Sequence, residues 1–189
     1  MRIAFKEWAI ILDALGRGEQ IVILRKGGIS EGRGGFQIQH PSFLFFPTLF
    51  HQQRESVVPS AQSRFDAIAP GFPGPDKIRI EFYAEVAAWQ RIDSLEAAVR
   101  LRGQHIWRDE VIAERFDWGK EKKIFAMALR MYRMPAAIEL PMLPQYGGCK
   151  SWVELEKDIS THNAIPVLDE PAFAKRLKHF REAVETASG

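Results

Sequence analysis

The feature that most constrains the fold is a long alternation of apolar and polar residues in the middle of the chain. Apolar side chains recur at every second position from Ile78 to Ala88, which is the period of a β-strand. We therefore predict a long strand from Lys77 to Gln90. The apolar run from Ile124 to Met134 contains helix-favouring residues. A charged turn precedes it and Pro135 follows it, so a second long strand is the favoured interpretation.

Shorter elements are predicted on both sides of these strands. Apolar spacing of three and four residues from Phe5 to Leu15 is typical of an amphipathic helix. The β-branched run within 20–25 is typical of a buried strand. Further strands are expected at 36–40, 43–46, 111–118 and 151–155. Short helices are expected at 60–68 and 95–101, and a longer amphipathic helix at about 170–187, beginning with Asp169-Glu170-Pro171.

The order of these elements predicts the fold class. Strands and helices do not alternate regularly, so a doubly wound parallel sheet is not expected. We predict an α+β fold with a mainly antiparallel, curved sheet or small β-barrel, flanked by short helices and by the C-terminal helix. The length of 189 residues suits one domain, 1–189. The glycine-rich segment 27–35 lacks the motifs of nucleotide-phosphate loops, and we expect it to be a flexible loop.

The residues that carry chemistry form no recognisable catalytic motif. The five histidines are scattered, so we predict neither a metal site nor a cofactor. Cys149 is the only cysteine, and we expect a free thiol without a catalytic role in a reducing compartment. The nearest approaches to a nuclease pattern are Glu121-Lys122-Lys123 and 154–157, which leave a metal-dependent nuclease or hydrolase as an alternative. Neither a membrane span nor a signal peptide is indicated, so a cytoplasmic protein is expected.

Positive charge is concentrated in one part of the chain. Residues 100–133 carry a net charge of +4, against +2 for the whole sequence, and aromatic residues are interspersed among the basic ones. This combination suits nucleic acid, through phosphate pairing and base stacking. The alternative is a solvated charged face over an aromatic core. The residues predicted to form a DNA or RNA contact surface are Arg25, Lys26, Arg130, Tyr132, Arg133 and Lys150.

Six segments together resemble one bacterial family, that of the domain of unknown function 1802. They are Phe5-Lys6-Glu7-Trp8-Ala9, 23–29, Phe46-Pro47-Thr48, His51-Gln52, Arg130-Met131-Tyr132-Arg133 and 146–152. The resemblance covers about residues 5–155. Members of this family occur fused to modules of the restriction-endonuclease type. The resemblance therefore implies a non-catalytic accessory protein linked to restriction or defence, with such an endonuclease as a partner; a protein–protein adaptor is a further alternative.

A second resemblance concerns the fold. Residues 18–25 are similar to the opening of the ASCH group of PUA-like domains, which are small β-barrels that bind RNA or modified bases. Gly18 and Arg25 match the motif of that group, whereas Gln20 stands in place of its lysine and Ile23 in place of its glutamate. The resemblance therefore implies a PUA-like barrel, but it carries over no activity that needs that lysine or glutamate.

Overall fold

The computed structural model describes residues 1–26, 31–32, 35–36 and 40–185, with backbone alone for 31–32 and 35–36. Nine strands are assigned in these ranges: β1 (Ile3–Trp8), β2 (Val22–Arg25), β3 (Glu31–Gly32), β4 (Gly35–Phe36), β5 (Ser42–Thr48), β6 (Lys77–Ile92), β7 (Ile124–Pro141), β8 (Trp152–Glu154) and β9 (Ile165–Pro166). The α-helices are α1 (Ala9–Gly16), α2 (Gln52–Glu55), α3 (Pro59–Ile68), α4 (Leu95–Val99), α5 (Asp109–Asp117) and α6 (Glu170–Glu185), with short 3-10 turns at Ala69–Gly71 and Pro144–Tyr146.

Seven of the strands form one mixed sheet in the order β2-β7-β6-β5-β1-β8. The β1–β5 pair is parallel and the other pairs of this sheet are antiparallel. β9 lies end to end with β2 along the same edge of β7, because β2 pairs with residues 125–128 and β9 with 132–133. The predicted α+β class, with a mainly antiparallel curved sheet flanked by helices, is confirmed; the sheet is not closed into a barrel.

The two long strands that the sequence predicted are the centre of the sheet. β6 and β7 pair over most of their length. The register passes from Ile80 opposite Ile138 to Phe82 opposite Arg133. Glu81 on β6 and the four residues 134–137 on β7 therefore have no partner in the register, and the β-ladder is interrupted there. Such irregularities change the direction of side chains and occur often beside functional sites.

Both faces of the sheet are covered, which explains why β5 is apolar throughout. Phe43 and Phe45 belong to the larger core cluster, which also contains residues of α1, α5 and α6. Leu44 and Phe46 belong to a smaller cluster on the opposite face. A strand buried on both faces appears in sequence as a continuous apolar run rather than as an alternation.

Two sequence predictions are wrong. The N-terminal helix begins at Ala9 rather than Phe5, because Ile3–Trp8 form strand β1 between β5 and β8. Residues 111–118 are not a strand, because α5 covers Asp109–Asp117. Its buried residues Ile112 and Phe116 are four positions apart on one helix face, and two acidic residues in its first turn suit the helix dipole.

Other predicted elements agree with the structure to within a few residues. Ser94 caps α4, its Oγ accepting a hydrogen bond from the Ala97 amide. The C-terminal helix packs on the core through Phe173, Phe180 and Val184. The predicted flexible segment 27–35 and most of the predicted strand 36–40 lie outside the residues whose full structure is described. Within the described ranges, no helix has both the length and the apolar character needed to cross a bilayer.

Candidate functional site

A buried carboxylate lies at the end of β1. Strand alternation directs Phe5 and Glu7 to the same face, and the Glu7 side chain is completely buried. Its Oε1 accepts a hydrogen bond of 2.8 Å from the Trp8 amide. Its Oε2 has no hydrogen-bond partner among the described residues. A buried carboxylate is costly unless cations and donors compensate for its lost hydration.

The first compensating cation comes from the opposite edge of the sheet. Nη1 of Arg25, on β2, lies 3.6 Å from Glu7 Oε2. Its Nη2 donates a 2.9 Å hydrogen bond to Ser151 Oγ, immediately before β8, and its guanidinium lies 4.6 Å from the centre of the Phe5 ring. Arg25 therefore joins the two edges of the open sheet through side-chain contacts.

The second cation is Arg115 from α5. Its guanidinium lies 4.7 Å from the Trp8 ring centre and 5.1 Å from that of Trp107. Nη1 donates a 3.1 Å hydrogen bond to the Leu24 carbonyl. Loss of hydration lowers the pKa of Arg115 to about 10, while the charge of Glu7 acts in the opposite direction. Arg115 therefore remains a cation at neutral pH and adds positive charge beside Glu7.

Aromatic rings surround this polar group. Trp152 of β8 has its ring centre 4.6 Å from Phe5 and 5.1 Å from Phe43, and His40 lies 4.8 Å from Trp152. We call the group at the junction of the sheet edges the seam site. It comprises Glu7, Trp8, Arg25, Arg115, Ser151 and Trp152. A carboxylate acceptor, guanidinium donors and flat rings together suit the recognition of a planar heterocycle with polar edges.

Lysines lie around the seam site. Lys26 donates to the carbonyls of Phe116 and Glu121. Lys6 donates to the Gly148 carbonyl at 3.0 Å, and burial together with the nearby charge of Lys150 lowers the pKa of Lys6. Lys150 donates to the Gln145 carbonyl at 3.1 Å.

An exposed aromatic ring lies on the same side as Lys26. Trp118, directly after α5, is 73% exposed. A side chain at the neighbouring Gly119 would lie 3.9 Å from Lys26 Cε, so the turn and the lysine are in contact distance. Lys6 points to the opposite face of β1, where its Nζ lies 5.6 Å from the centre of the Phe46 ring. The basic rim of the seam site is therefore defined as Lys26 and Lys150, and an exposed aromatic ring lies beside it.

The structure divides the predicted contact residues into two groups. Arg25, Lys26 and Lys150 lie at or beside the seam site, whereas the other three lie farther along β7. Phe125 on β7 is the partner of Arg25 in the sheet. Arg130 lies five residues farther along β7, a distance of about 17 Å. Arg130 pairs with Glu170 at 3.2 Å and lies over the Phe173 ring.

Tyr132 and Arg133 are also engaged within the protein. Tyr132 stacks on Tyr83 with ring centres 4.6 Å apart, and its hydroxyl donates to Glu85 at 3.1 Å. Arg133 donates to the Gly16 carbonyl at 2.9 Å and lies over the Phe82 ring. Arg130 and Arg133 are three residues apart on one strand, so they point to opposite faces.

The acidic residues considered for nuclease chemistry lie on different elements. Glu121 is in the turn before β7 and pairs with Lys123, whereas Glu154 is on β8 and lies 3.5 Å from Arg2. No group of three His, Cys, Asp or Glu side chains suited to a metal occurs within the described ranges. Cys149 is a free, exposed cysteine.

Of the six seam-site residues the sequence predicts only Arg25. The residues that it does not predict are Glu7, Trp8, Arg115, Ser151 and Trp152. Glu7 was placed in a helix, where its burial is not evident. Had the segment been recognised as a strand, the alternation of Phe5 and Glu7 would have placed a charge on the buried face. No signal in the sequence brings Arg115 of α5 to the same place.

The profile of the family described as domain of unknown function (DUF1802) matches residues 4–179. The chain belongs to this family. The search of curated proteins finds no match.

Among solved structures, similar chains include an ASCH protein from Zymomonas mobilis, with a TM-score of 0.46, 12% identity and coverage of 82% of this chain and 87% of that one. A point mutant of the Zymomonas protein gives a TM-score of 0.43 and 14% identity, covering 93% of this chain and 95% of that one. These structures belong to the ASCH group that residues 18–25 resemble.

Proposed function

We propose that this member of the DUF1802 family binds nucleic acid at the seam site and acts as a non-catalytic accessory module. The observation that supports the proposal is the Glu7 carboxylate, buried between two arginines and aromatic rings with one oxygen free of hydrogen bonds among the described residues. Because Oε2 is buried, the polar edge of an unstacked base reaches it only when the side chains that cover it move apart.

The basic rim would supply the affinity for phosphates. Lys26 and Lys150 are chain neighbours of Arg25 and Ser151, and each cation that contacts a phosphate releases condensed counterions. The exposed ring of Trp118 offers a surface on which a base can stack. In this proposal the rim positions the backbone, and the seam site receives one base.

The test is a salt titration with fluorescent single- and double-stranded oligonucleotides. Replacing Lys26 and Lys150 together by Gln is expected to reduce the slope of log affinity against log salt by about one to two units. The double variant of Arg130 and Arg133 to Gln is the matched control, because it removes the same charge away from the seam site. Equal losses in both variants would contradict the placement of the site. Absence of binding to DNA and RNA at ~50 mM salt would contradict the function itself.

A further variant tests the stacking surface. Trp118→Ala removes an exposed ring without disturbing the core, so the fold is expected to remain intact. Affinity for single strands should fall by about 5- to 100-fold, since each stacked base contributes ~1–3 kcal/mol. Affinity for double strands should change less, because their bases are already stacked. An equal loss for both forms would show that Trp118 acts in another way.

The family resemblance also supports a link to restriction or defence, with an endonuclease-type protein as the partner. The hypotheses of a metal-dependent nuclease and of a protein adaptor stay predictions. The same oligonucleotides, incubated with Mg²⁺ or Mn²⁺ and separated by electrophoresis, distinguish binding from cleavage.

A further inference from the structure

A second candidate site, separate from the seam site, lies beside α1. An open cavity of about 220 Å³ is lined by α1, by the end of α3 and the segment 71–73 that follows it, and by β5, β6 and β7. It lies next to the interruption of the β6–β7 ladder at Glu81. None of its lining residues belongs to the seam site, so ligand binding in this cavity does not depend on nucleic-acid binding at the seam site.

The cavity has apolar walls. They are formed by Leu12 from α1, Ile68 at the end of α3, Phe72 from the segment after α3, and Phe82 from β6. Gly16 ends α1 against the Phe82 ring, and any side chain at this position would collide with that ring. The glycine therefore allows an aromatic wall to lie directly against the helix.

The ladder interruption adds charged groups to these walls. In a regular strand Glu81 and Phe82 would point to opposite faces, yet both line the cavity together with Arg79. Glu81 has no partner in the β7 register, as is also true of Ala87 farther along β6. The irregularity thus places a carboxylate beside an aromatic ring, as β-bulges often do near binding sites.

A second carboxylate comes from the helix. Asp13 Oδ2 has no hydrogen-bond partner among the described residues. The nearest cations, Arg17 Nε and Arg64 Nη1, are both 3.7 Å away, beyond hydrogen-bond distance. Burial raises the pKa of Asp13 despite these arginines. Oδ2 itself is buried beside these arginines, so the contribution of Asp13 to a ligand in the cavity is the negative charge of its carboxylate at the wall.

Three arginines line the cavity, Arg17, Arg79 and Arg133. Arg17 pairs with Glu19 and Arg79 with Glu139, whereas Arg133 is held by other contacts. One of its nitrogens donates to the Gly16 carbonyl at 2.9 Å, and its guanidinium lies 4.7 Å from the Phe82 ring centre. These contacts fix the guanidinium at the wall of the cavity. A fixed guanidinium recognises a carboxylate more selectively than a mobile lysine does.

We propose that this cavity binds a small zwitterion with an apolar body, the chemistry of a free hydrophobic amino acid. Its ammonium group lies between Asp13 and Glu81, its carboxylate pairs with Arg133, and its side chain packs against Leu12, Phe72 and Phe82. The volume is below the ~300–1,000 Å³ of pockets for drug-sized molecules, so the ligand is small.

Isothermal titration calorimetry with L-phenylalanine and L-leucine tests the proposal, with two truncated analogues for comparison. Phenethylamine lacks the carboxylate and 3-phenylpropionate lacks the ammonium group. At least one amino acid is expected to bind, and its affinity should exceed that of the analogues by at least about tenfold, because each analogue leaves a charged partner unmatched. No binding of either amino acid at millimolar concentration, or equal binding of phenylpropionate and phenylalanine, would overturn the proposal.

Variants locate the binding site on the molecule. Glu81→Gln and Arg133→Gln should each weaken amino-acid binding by about tenfold or more. Arg100→Gln is the matched control, because Arg100 also donates to a helix carbonyl, that of Ala183, but lies outside the cavity. Thermal unfolding identifies any variant that does not fold. Unchanged binding in a folded Glu81→Gln protein together with a folded Arg133→Gln protein would exclude this cavity.

Discussion

Replacing Arg25 by Met tests whether a polar contact holds the two sheet edges together. Methionine is of similar length but removes the ion pair with Glu7, the hydrogen bond to Ser151 and the contact with the Phe5 ring. Breaking a buried pair costs ~3–5 kcal/mol. Arg25 remains 19% exposed, which reduces the cost, so we expect a loss of about 3 kcal/mol. For 189 residues, this lowers Tm by about 6–12 °C.

A double-mutant cycle isolates the contact itself. Glu7→Gln keeps the shape of the side chain and an oxygen for the Trp8 amide, but it removes the negative charge. Each single variant leaves the other charge without its partner, so the double variant should lose less than the two singles combined. We expect a coupling free energy of about 2 kcal/mol. Urea unfolding, followed by circular dichroism and by tryptophan fluorescence, measures all four proteins.

The control cycle uses an exposed pair with better geometry. Arg54 and Asp66 form two hydrogen bonds, of 2.8 and 3.0 Å, but both side chains are exposed. Their coupling should be smaller than that of Arg25 and Glu7, because solvent screens an exposed pair. Additivity of the Arg25 and Glu7 variants within ~0.5 kcal/mol would refute the view that this pair joins the edges.

Three further predictions concern stability. Burial lowers the pKa of His105 to about 4. Below pH 6.5 the unfolded chain therefore binds a proton at this histidine more readily than the folded chain does. The free energy of unfolding should fall as the pH drops from about 6.5 towards 4. Urea unfolding should show a loss of about 2 kcal/mol between pH 7 and pH 5 from this group, and a His105→Gln protein should lack that contribution. Ser94→Ala removes the cap of α4 and should cost about 1 kcal/mol, measured as a Tm about 2–4 °C lower; an unchanged Tm would contradict it. Gly18→Ala should cost about 1–3 kcal/mol in the same assay, since φ is +69° and the new methyl group would lie 2.5 Å from Leu168 Cδ2; a neutral effect would show that Leu168 moves freely.

The sequence predicted the elements whose periodicity is long and unbroken. β6 was recognisable from its alternation, and β7 from an apolar run that follows a charged turn. The predicted end of that strand at Met134 is wrong, because β7 continues through Pro135 to Pro141. β1 was missed because Trp8 is followed directly by Ala9 of α1 with no turn residue between them, so apolar spacing alone could not separate strand from helix. In the segment 111–118, Val111 and Trp118 favoured a strand, although the spacing of Ile112 and Phe116 in α5 is helical.

The candidate site was predictable only in part. Arg25, Lys26 and Lys150 were named from their charge, and the structure places all three at or beside the seam site. Glu7 and Arg115 were not named, since their proximity arises from contacts between β1, β2 and α5. Such contacts join residues about one hundred positions apart, and no local pattern encodes them. Tyr132, predicted as a nucleic-acid contact, has its ring stacked on Tyr83.

The position of β9 has a consequence for the solubility of the chain. β2 covers one part of the outer edge of β7, and residues 165–167 cover the next, with Val167 donating to the Met131 carbonyl at 2.9 Å. A chain that ended before residue 165 would leave these backbone groups unpaired on a long apolar strand. Unpaired edges of this kind recruit strands from other molecules. Residues 165–167 therefore cover a strand edge that would otherwise be open to pairing with other chains, in addition to the packing of α6 on the core.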